Sequence, residues 1–493
     1  MIRVGLELAK VVCTALIASD WYWEQNRPIP LEIGPTTTAI TEPIRDDGLI
    51  DYREALNRLR EPGTTPENNA VVLLIEAIGP SVIPEQEREG YFERLRIPVP
   101  TADSEVFVDA STFIQRRARS EDERKSLTET HRKQSDEAAQ RPWKGSEFPD
   151  VRERITANFK AFEKVIAASR RQRFFAPLAG ADLANLKSLT PFPVPTIRGM
   201  GHALQERAML HCGEGRLDEA WRDLLALRRL AQLVRGNGET EFVAGLLLNG
   251  ASTGAIWLAA QPELDLDRLA RFHSEWNAVG TWPVSPLVFD RETRFEWLEA
   301  FTMEALNDEQ RSYRKPPPQD VNVLLRRTNS HFDEVLLAIR DRPAFEAMQQ
   351  LERVVARPPN SSWGRRYWDP RRFRSEQEWF MTALFGQTTL VTDYARAVRW
   401  QVLHDLVSLT FAIEIHRKQT GHLPADIGDL PPELLKAVPA DPWSGKPFRY
   451  VPRQNGYTVY SIGSDRKDDG GQSTRSFKGD IVVDFPPRPP ETP

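Results

Sequence analysis

Phe242 to Ala260 reads Phe-Val-Ala-Gly-Leu-Leu-Leu-Asn-Gly-Ala-Ser-Thr-Gly-Ala-Ile-Trp-Leu-Ala-Ala, nineteen residues without a charge. How this stretch is read decides the fold. Its length suits a membrane helix, and Gly250 and Gly254 form the small-xxx-small pair that lets two such helices approach closely. Asn249, Ser252 and Thr253 lower its hydropathy. A helical domain also needs a central helix that is apolar all round. Both neighbours of the stretch have the pattern of amphipathic helices with ordinary soluble surfaces, so it reads as a core helix.

Working outward, residues 143–357 read as one helical domain. Val151 to Arg170, Ile197 to Cys212 and Leu217 to Val234 carry helical periodicity. Gly213-Glu-Gly215 makes a short turn between the last two. Gly215-Arg-Leu-Asp-Glu-Ala220 resembles the start of the second helix of a tetratricopeptide repeat. No second copy follows at a spacing of about 34 residues. The domain is multi-helical, with a solenoid-like arrangement as one option. Upstream, 49–142 is a further helical region. Asp51 to Arg60 is amphipathic through Tyr52, Ala55, Leu56 and Leu59. Thr65-Pro66-Glu67 reads as a helix start, and Gly79-Pro80 as its stop. Residues 119–141 are highly charged and read as a solvated helix or loop.

Residues 24–48, with Pro28, Pro30, Pro35 and Pro43, read as an extended tether. The segment 1–23 has Arg3 and Lys10 before the eight apolar residues from Val11 to Ala18. That run falls within signal-peptide range and is too short to span a membrane. It reads as a signal or anchor, giving membrane association through the N-terminus, or as an ordinary helix. An exported or envelope location and a cytoplasmic one both stay open.

The chain has 493 residues, a net charge of −5 and only Cys13 and Cys212, which excludes a disulfide framework and a dedicated nucleic-acid binder. Residues 358–385 are a basic, aromatic linker, whose interleaved Arg, Trp and Tyr read either as an anion-binding loop or as an anchored connection.

The period changes in the last hundred residues. A long helix begins near Thr388, with Val391, Tyr394, Val398, Val402, Leu406, Leu409 and Ile413 on one face. Gly421 and Pro424 end it. A short helix, Pro431 to Val438, follows. Phe448 to Val451 and Tyr457 to Tyr460 flank Asn455-Gly456, a strong hairpin signal. Asp480 to Phe485 is a third strand.

The order of long helix, Thr-Gly-His-Leu-Pro (420–424), Val-Pro-Ala-Asp-Pro-Trp (438–443), Tyr-Ser-Ile-Gly-Ser-Asp (460–465) and Gly-Asp-Ile (479–481) resembles the C-terminal part of the type II secretion major pseudopilin. The resemblance covers 386–485, roughly a fifth of the chain. It implies an α+β module in which a helix packs on a small antiparallel sheet and the last loop binds Ca²⁺. Asp465 matches the family's first ligand position. Gly479 stands where the family has the first of two adjacent acids, so only Asp480 remains. Ser464, Asp468 and Asp469 are the further candidate ligands. Four aspartates within sixteen residues offer the oxygens that Ca²⁺ requires. About 385 residues precede the helix and no pilin cleavage signal adjoins it, so the resemblance implies a reused module rather than a polymerising subunit. Residues 486–493 are a Pro-rich tail. The stretches Gly48–Asn57, Thr65–Ala70 and Gly215–Ala220 resemble a group of bacterial envelope-associated proteins.

No catalytic motif stands out. His202 and Glu206, at i and i+4, are half of a metal pattern and read as a helix-surface pair. His404 and Asp405 lie on the long helix. Three functions are expected to be distinguishable. A non-catalytic envelope protein with a Ca²⁺-binding module would show a groove and no buried polar cluster with shifted pKa values. An accessory of a secretion or pilus-like machine would bind a true pseudopilin. An enzyme would show a pocket with converging His, Asp, Glu or Arg, for which Arg314, Arg326, Arg327 and His331 are the local candidates.

Overall fold

The structure, a computed structural model, describes residues 30–101, 106–178, 186, 194–236, 238–281, 288–310, 320–356, 370–435, 437–472 and 478–488. The expectations for 1–23, for Arg314 and for 357–369 lie outside these residues. The protein is mainly α, with one small antiparallel sheet at the C-terminal end. The N-terminal region holds α1 (Tyr52–Arg60), α2 (Ala70–Ile78), α3 (Glu85–Leu95), α4 (Ala110–Arg117) and α5 (Glu121–Gln140). Next come α6 (Pro149–Ala157), α7 (Phe159–Ser169), α8 (Val194–Gly213), α9 (Leu217–Leu233) and α10 (Gly238–Ala259). The last five are α11 (Leu266–Ala278), α12 (Arg294–Gln310), α13 (Val321–Ile339), α14 (Ala344–Ala356) and α15 (Pro370–Thr420).

The apolar stretch is the core helix α10. Val243, Ala244, Leu248, Ala251, Ala255 and Leu258 are sealed from solvent by α8, α9 and α15. Its glycines mark close approaches. A Cβ at Gly245 would lie 2.1 Å from the Trp400 ring, and one at Gly254 would lie 2.2 Å from Leu224. α10 remains, among the described residues, the one helix long and apolar enough to cross a membrane.

α15 is the spine. It starts at Pro370 rather than near Thr388, so the second part of the expected linker is helical. Its expected stripe from Tyr394 to Ile413 is buried. The middle of the helix packs on α10, α11, α13 and α14, and its end carries the sheet. One continuous apolar core therefore runs from Ala70 in α2 to Phe485 in the last strand.

The sheet is β1 (Arg449–Arg453), β2 (Gly456–Ser461) and β3 (Ile481–Phe485), antiparallel in the order β1-β2-β3. The hairpin register pairs Arg453 with Gly456 across Gln454-Asn455. A side chain at Gly456 would meet the Phe485 carbonyl at 1.9 Å, which is why glycine stands there. The expected helix from Pro431 to Val438 is a turn over Pro432–Leu434 among the described residues. Pro431 and Pro432 remove two amide donors at its start.

Four buried asparagines hold extended chain against the helices in the way a neighbouring strand would. Asn57 pairs with the N–H and the carbonyl of Leu178, and Asn69 does the same with Phe175. Asn158 takes both groups of Val108, and Asn322 takes the Glu32 N–H and the Pro30 carbonyl. A primary amide carries both donor hydrogens and an acceptor oxygen, so it satisfies the N–H and the carbonyl of a lone buried backbone that has no ladder.

This device corrects three expectations. Residues 30–48 are a strap, not a tether: Asn322 and Asn329 hold them, Tyr52 Oη donates to the Thr38 carbonyl, and Thr37 and Thr38 are buried. Val151 to Arg170 is two helices, because the Asn158 amide binds Val108 and the Arg154 carbonyl and breaks the run. The helix after Thr65 begins at Ala70 with Asn69 as its cap, while Thr65–Asn68 forms a turn.

Candidate functional site

Two places merit a functional reading: a cleft in the helical body and the acidic loop of the sheet.

The cleft, about 610 Å³, opens between α5, α6, α8 and α10. His202 lines it, half-exposed, with Nδ1 3.4 Å from Oε1 of Glu206. Glu206 is not on the helix surface. It is fully buried, because α5 and α6 cross α8 at this turn. Ser135 of α5 donates its hydroxyl to Oε1, and Arg154 of α6 pairs with Oε2. Trp143 Nε1 donates to the Glu206 carbonyl at 3.2 Å. Burial pushes the Glu206 carboxyl up, but Arg154, His202 and Ser135 outweigh it and hold it below the usual range. It is therefore ionised. His131, beside this cluster, is buried with no hydrogen-bond partner on either ring nitrogen among the described residues. Burial, with the Arg154 charge, lowers its pKa and keeps it neutral.

This arrangement corrects the surface-pair reading of His202 and Glu206. Buried polar clusters with shifted pKa values, whose absence was expected of a non-catalytic protein, also recur elsewhere, so that criterion does not support the non-catalytic reading. Arg207 and Asp223 form a bidentate pair at 2.6 and 2.8 Å between α8 and α9. Arg228 Nη2 donates to the Gly280 carbonyl and lies 3.3 Å from His404 Nδ1. His404 stacks on Trp276, and burial lowers its pKa to about 3. Burial raises the neighbouring Asp405 to about 7. The expected cluster on α13 does not converge: Arg326 pairs with Glu32 at the surface, whereas His331 is buried.

In the C-terminal module two of the phrases that carry the pseudopilin resemblance, 438–443 and 460–465, are tied together by Asp441. Its Oδ1 accepts from Ser461 Oγ at 2.8 Å and from the Trp443 N–H, and its Oδ2 accepts from the Ile462 N–H. The sequence reading missed this residue, although it sits inside one quoted phrase. Beyond it Gly463 has φ of 69°, and a side chain there would meet the Gly479 carbonyl at 2.0 Å. Gly463 and Gly479 thus bring the two ends of the loop into contact.

The candidate ligands divide. Asp480 is buried at 4% exposure, and its Oδ2 accepts from the Gly471 N–H at 2.8 Å. Its Oδ1 has no donor among the described residues. Burial raises the Asp480 carboxyl, opposed by backbone donors at Gly471 and Asp469, and the charges of Asp469 and Asp468 raise it further. Asp468 is exposed and engaged by Tyr460 Oη, the Gly470 N–H and Arg449. Asp465 points back into its own turn, accepting from the Lys467 N–H. Ser464 follows Gly463, half-buried, and Asp469 is exposed. Among the described residues, no three His, Cys, Asp or Glu side chains group as a metal cage. The orphaned Asp480 oxygen fits a hard cation; the four-carboxylate set does not assemble around it. Asp480 would contribute one carboxylate, and backbone or water oxygens the rest.

No protein-family model, no curated protein and no solved structure matches this chain.

Proposed function

We propose that this protein is a non-catalytic component of the bacterial cell envelope. On this reading a helical interaction body carries a pseudopilin-like module stiffened by Ca²⁺. Its partner is a pilin-type subunit of a secretion or pilus-like machine. One observation carries the reading: Asp480, at the entry to β3, holds a buried carboxylate oxygen without a donor, beside two further aspartates. A buried carboxylate oxygen left without a donor is costly. A divalent cation bound by oxygen ligands removes that cost and fixes the loop between β2 and β3. Because α15 belongs to both the body and the module, a stiffened sheet would be presented in a fixed orientation.

The test is binding of the purified full chain to the major pseudopilin of the same cell, with Ca²⁺ and with chelator. The reading expects Ca²⁺-dependent binding that Asp480→Asn weakens. Absence of binding under both conditions contradicts the partner.

The cleft favours a second reading. A buried ionised carboxylate that orients a solvent-facing histidine is how a general base is held. The same contacts also make a clamp that ties α5 and α6 to α8 through Ser135, Arg154 and Glu206. His202→Ala separates the two. An enzyme loses turnover on a panel of chromogenic ester, phosphoester and glycoside substrates. A clamp that turns over none of them, and keeps its melting temperature within a few degrees in the variant, leaves the non-catalytic reading in place.

A further inference from the structure

A second cavity, about 770 Å³, lies along α9 between α7 and α11. α9 supplies one wall through Trp221, Leu225, Arg229 and Leu233, each four residues from the last so that neighbours share a face. The end of α7 and the last turns of α11 supply the other walls. The floor is aromatic and aliphatic. Trp221 is stacked on Phe272 at 4.5 Å and braced edge-on by Phe411, so the indole is fixed in place.

Charge around the mouth is one-sided. Arg170, Arg171, Arg222, Arg229 and Arg271 line the cavity, against only Asp218 and Glu275. Both carboxylates are already engaged. Arg271 pairs with Asp218, and Trp221 Nε1 donates to Glu275 Oε2 at 2.5 Å. Arg222 pairs with Glu163 outside the cavity. Arg170 and Arg229 have no ion pair or side-chain hydrogen bond among the described residues. Burial, then the Arg170 charge, lowers the pKa of Arg229, and only Glu275 opposes this. Arg229 is half-buried where it lines the cavity, and Arg170 is exposed at the rim, with the donors of both uncommitted.

We infer that this groove is a binding site for an amphipathic organic anion, in which Arg229 and Arg170 hold a carboxylate or phosphate head and the floor around Trp221 and Leu225 takes an apolar or aromatic body. Guanidinium forks suit the planar or tetrahedral oxygens of such heads. The volume matches that of a pocket for a small organic ligand. The inference is independent of the C-terminal loop and of the cleft at His202.

The probe is anilinonaphthalene sulfonate, an organic anion with an aromatic body, titrated into the full chain and followed by its fluorescence and by calorimetry. Phenylnaphthylamine serves as its uncharged counterpart. Wild type is expected to bind the sulfonate with one-to-one stoichiometry and the amine at least about tenfold more weakly, the worth of one charge-assisted hydrogen bond. The Arg170→Gln/Arg229→Gln double variant loses about tenfold or more in sulfonate affinity, whereas Arg222→Gln, whose partner lies outside, changes it by less than about twofold. Ala278→Trp fills the groove without changing charge and abolishes binding. Circular dichroism confirms that each variant is folded. Decanoate or phenyl phosphate displaces the dye, and the one that does so names the head group. Equal affinity for sulfonate and amine, an unchanged constant in the double variant, or displacement by neither competitor overturns the inference.

Discussion

Gly245→Ala is expected to destabilise this protein, although alanine is the better helix former. Gly245 lies on α10 where that helix crosses α15. The added Cβ would sit 2.1 Å from Cζ2 and 2.2 Å from Cε2 of Trp400. Carbon atoms need roughly 3.5 Å or more, so helix or indole must shift by on the order of 1 Å. Trp400 is 5% exposed, buried in the core. Overpacking of this kind costs about 1–3 kcal/mol, and a contact this short belongs at the upper end. Replacing glycine inside a helix returns about 1 kcal/mol. The net expectation is a loss of about 1–2 kcal/mol. Urea unfolding of the full chain in detergent-free buffer, followed by circular dichroism, reads it. Trp400→Phe supplies the rescue. The indole N–H has no partner among the described residues, so phenylalanine removes the clash without breaking a hydrogen bond. A double-mutant cycle then shows a coupling of about 1 kcal/mol or more. If Gly245→Ala instead stabilises by about 1 kcal/mol with no coupling to Trp400, as at an open helix position, α10 does not pack there and the core reading fails.

Other residues give further tests. Asn69→Ala removes a helix cap and strands the N–H and carbonyl of Phe175; it should cost about 3 kcal/mol in the same assay, and a loss below about 1 kcal/mol would show that the asparagine clamps do not hold the extended segments. Glu414 is sealed under the sheet beside Arg417, and burial pushes its carboxyl up to about 7. Between the unfolded value of about 4.3 and that folded value the native state holds a proton the unfolded chain has released, so stability falls as pH rises through this window. Glu414→Gln should therefore gain on wild type in thermal melts between about pH 5 and pH 8, and parallel curves would contradict the assignment. His404 works in the opposite sense. Its folded pKa of about 3 means that the unfolded chain takes up a proton first as pH drops below about 6.5, and the contribution is lost as pH falls toward 3. His404→Phe should flatten the acid limb of the melting curve.

Much of the architecture was legible in the sequence, because periodicity is a local property. The stripe from Tyr394 to Ile413, the apolar α10 and a hairpin near Asn455 could each be read from neighbouring residues, although the turn falls at Gln454-Asn455 and not at the expected Asn455-Gly456. What escaped depends on distance along the chain. Glu206 looked like a surface partner of His202 because Ser135 and Arg154 lie 71 and 52 residues away. The strap at 30–48 looked free because its clamp, Asn322, comes about 290 residues later. The groove under Arg229 is assembled from three helices, none of which is unusual alone. Asn57 and Asn69 fell inside stretches read for helical periodicity, helix signals and resemblance, none of which gave these two residues a role; the structure gives both a physical task. The acidic loop was the converse case. Its four aspartates were conspicuous in sequence, yet only Asp480 is buried, because Tyr460, Arg449 and backbone amides take Asp468 and Asp465 elsewhere.

The central claim is that Asp480 anchors a hard cation that stiffens the sheet. Calorimetric titration of Ca²⁺ into the full chain, beside Asp480→Asn and Asp465→Ala, tests it most directly. The account predicts saturable binding with a raised melting temperature in wild type, loss of both in Asp480→Asn, and a much smaller effect in Asp465→Ala, whose carboxylate closes its own turn. No heat and no stabilisation at millimolar Ca²⁺, or binding that survives Asp480→Asn, would contradict it.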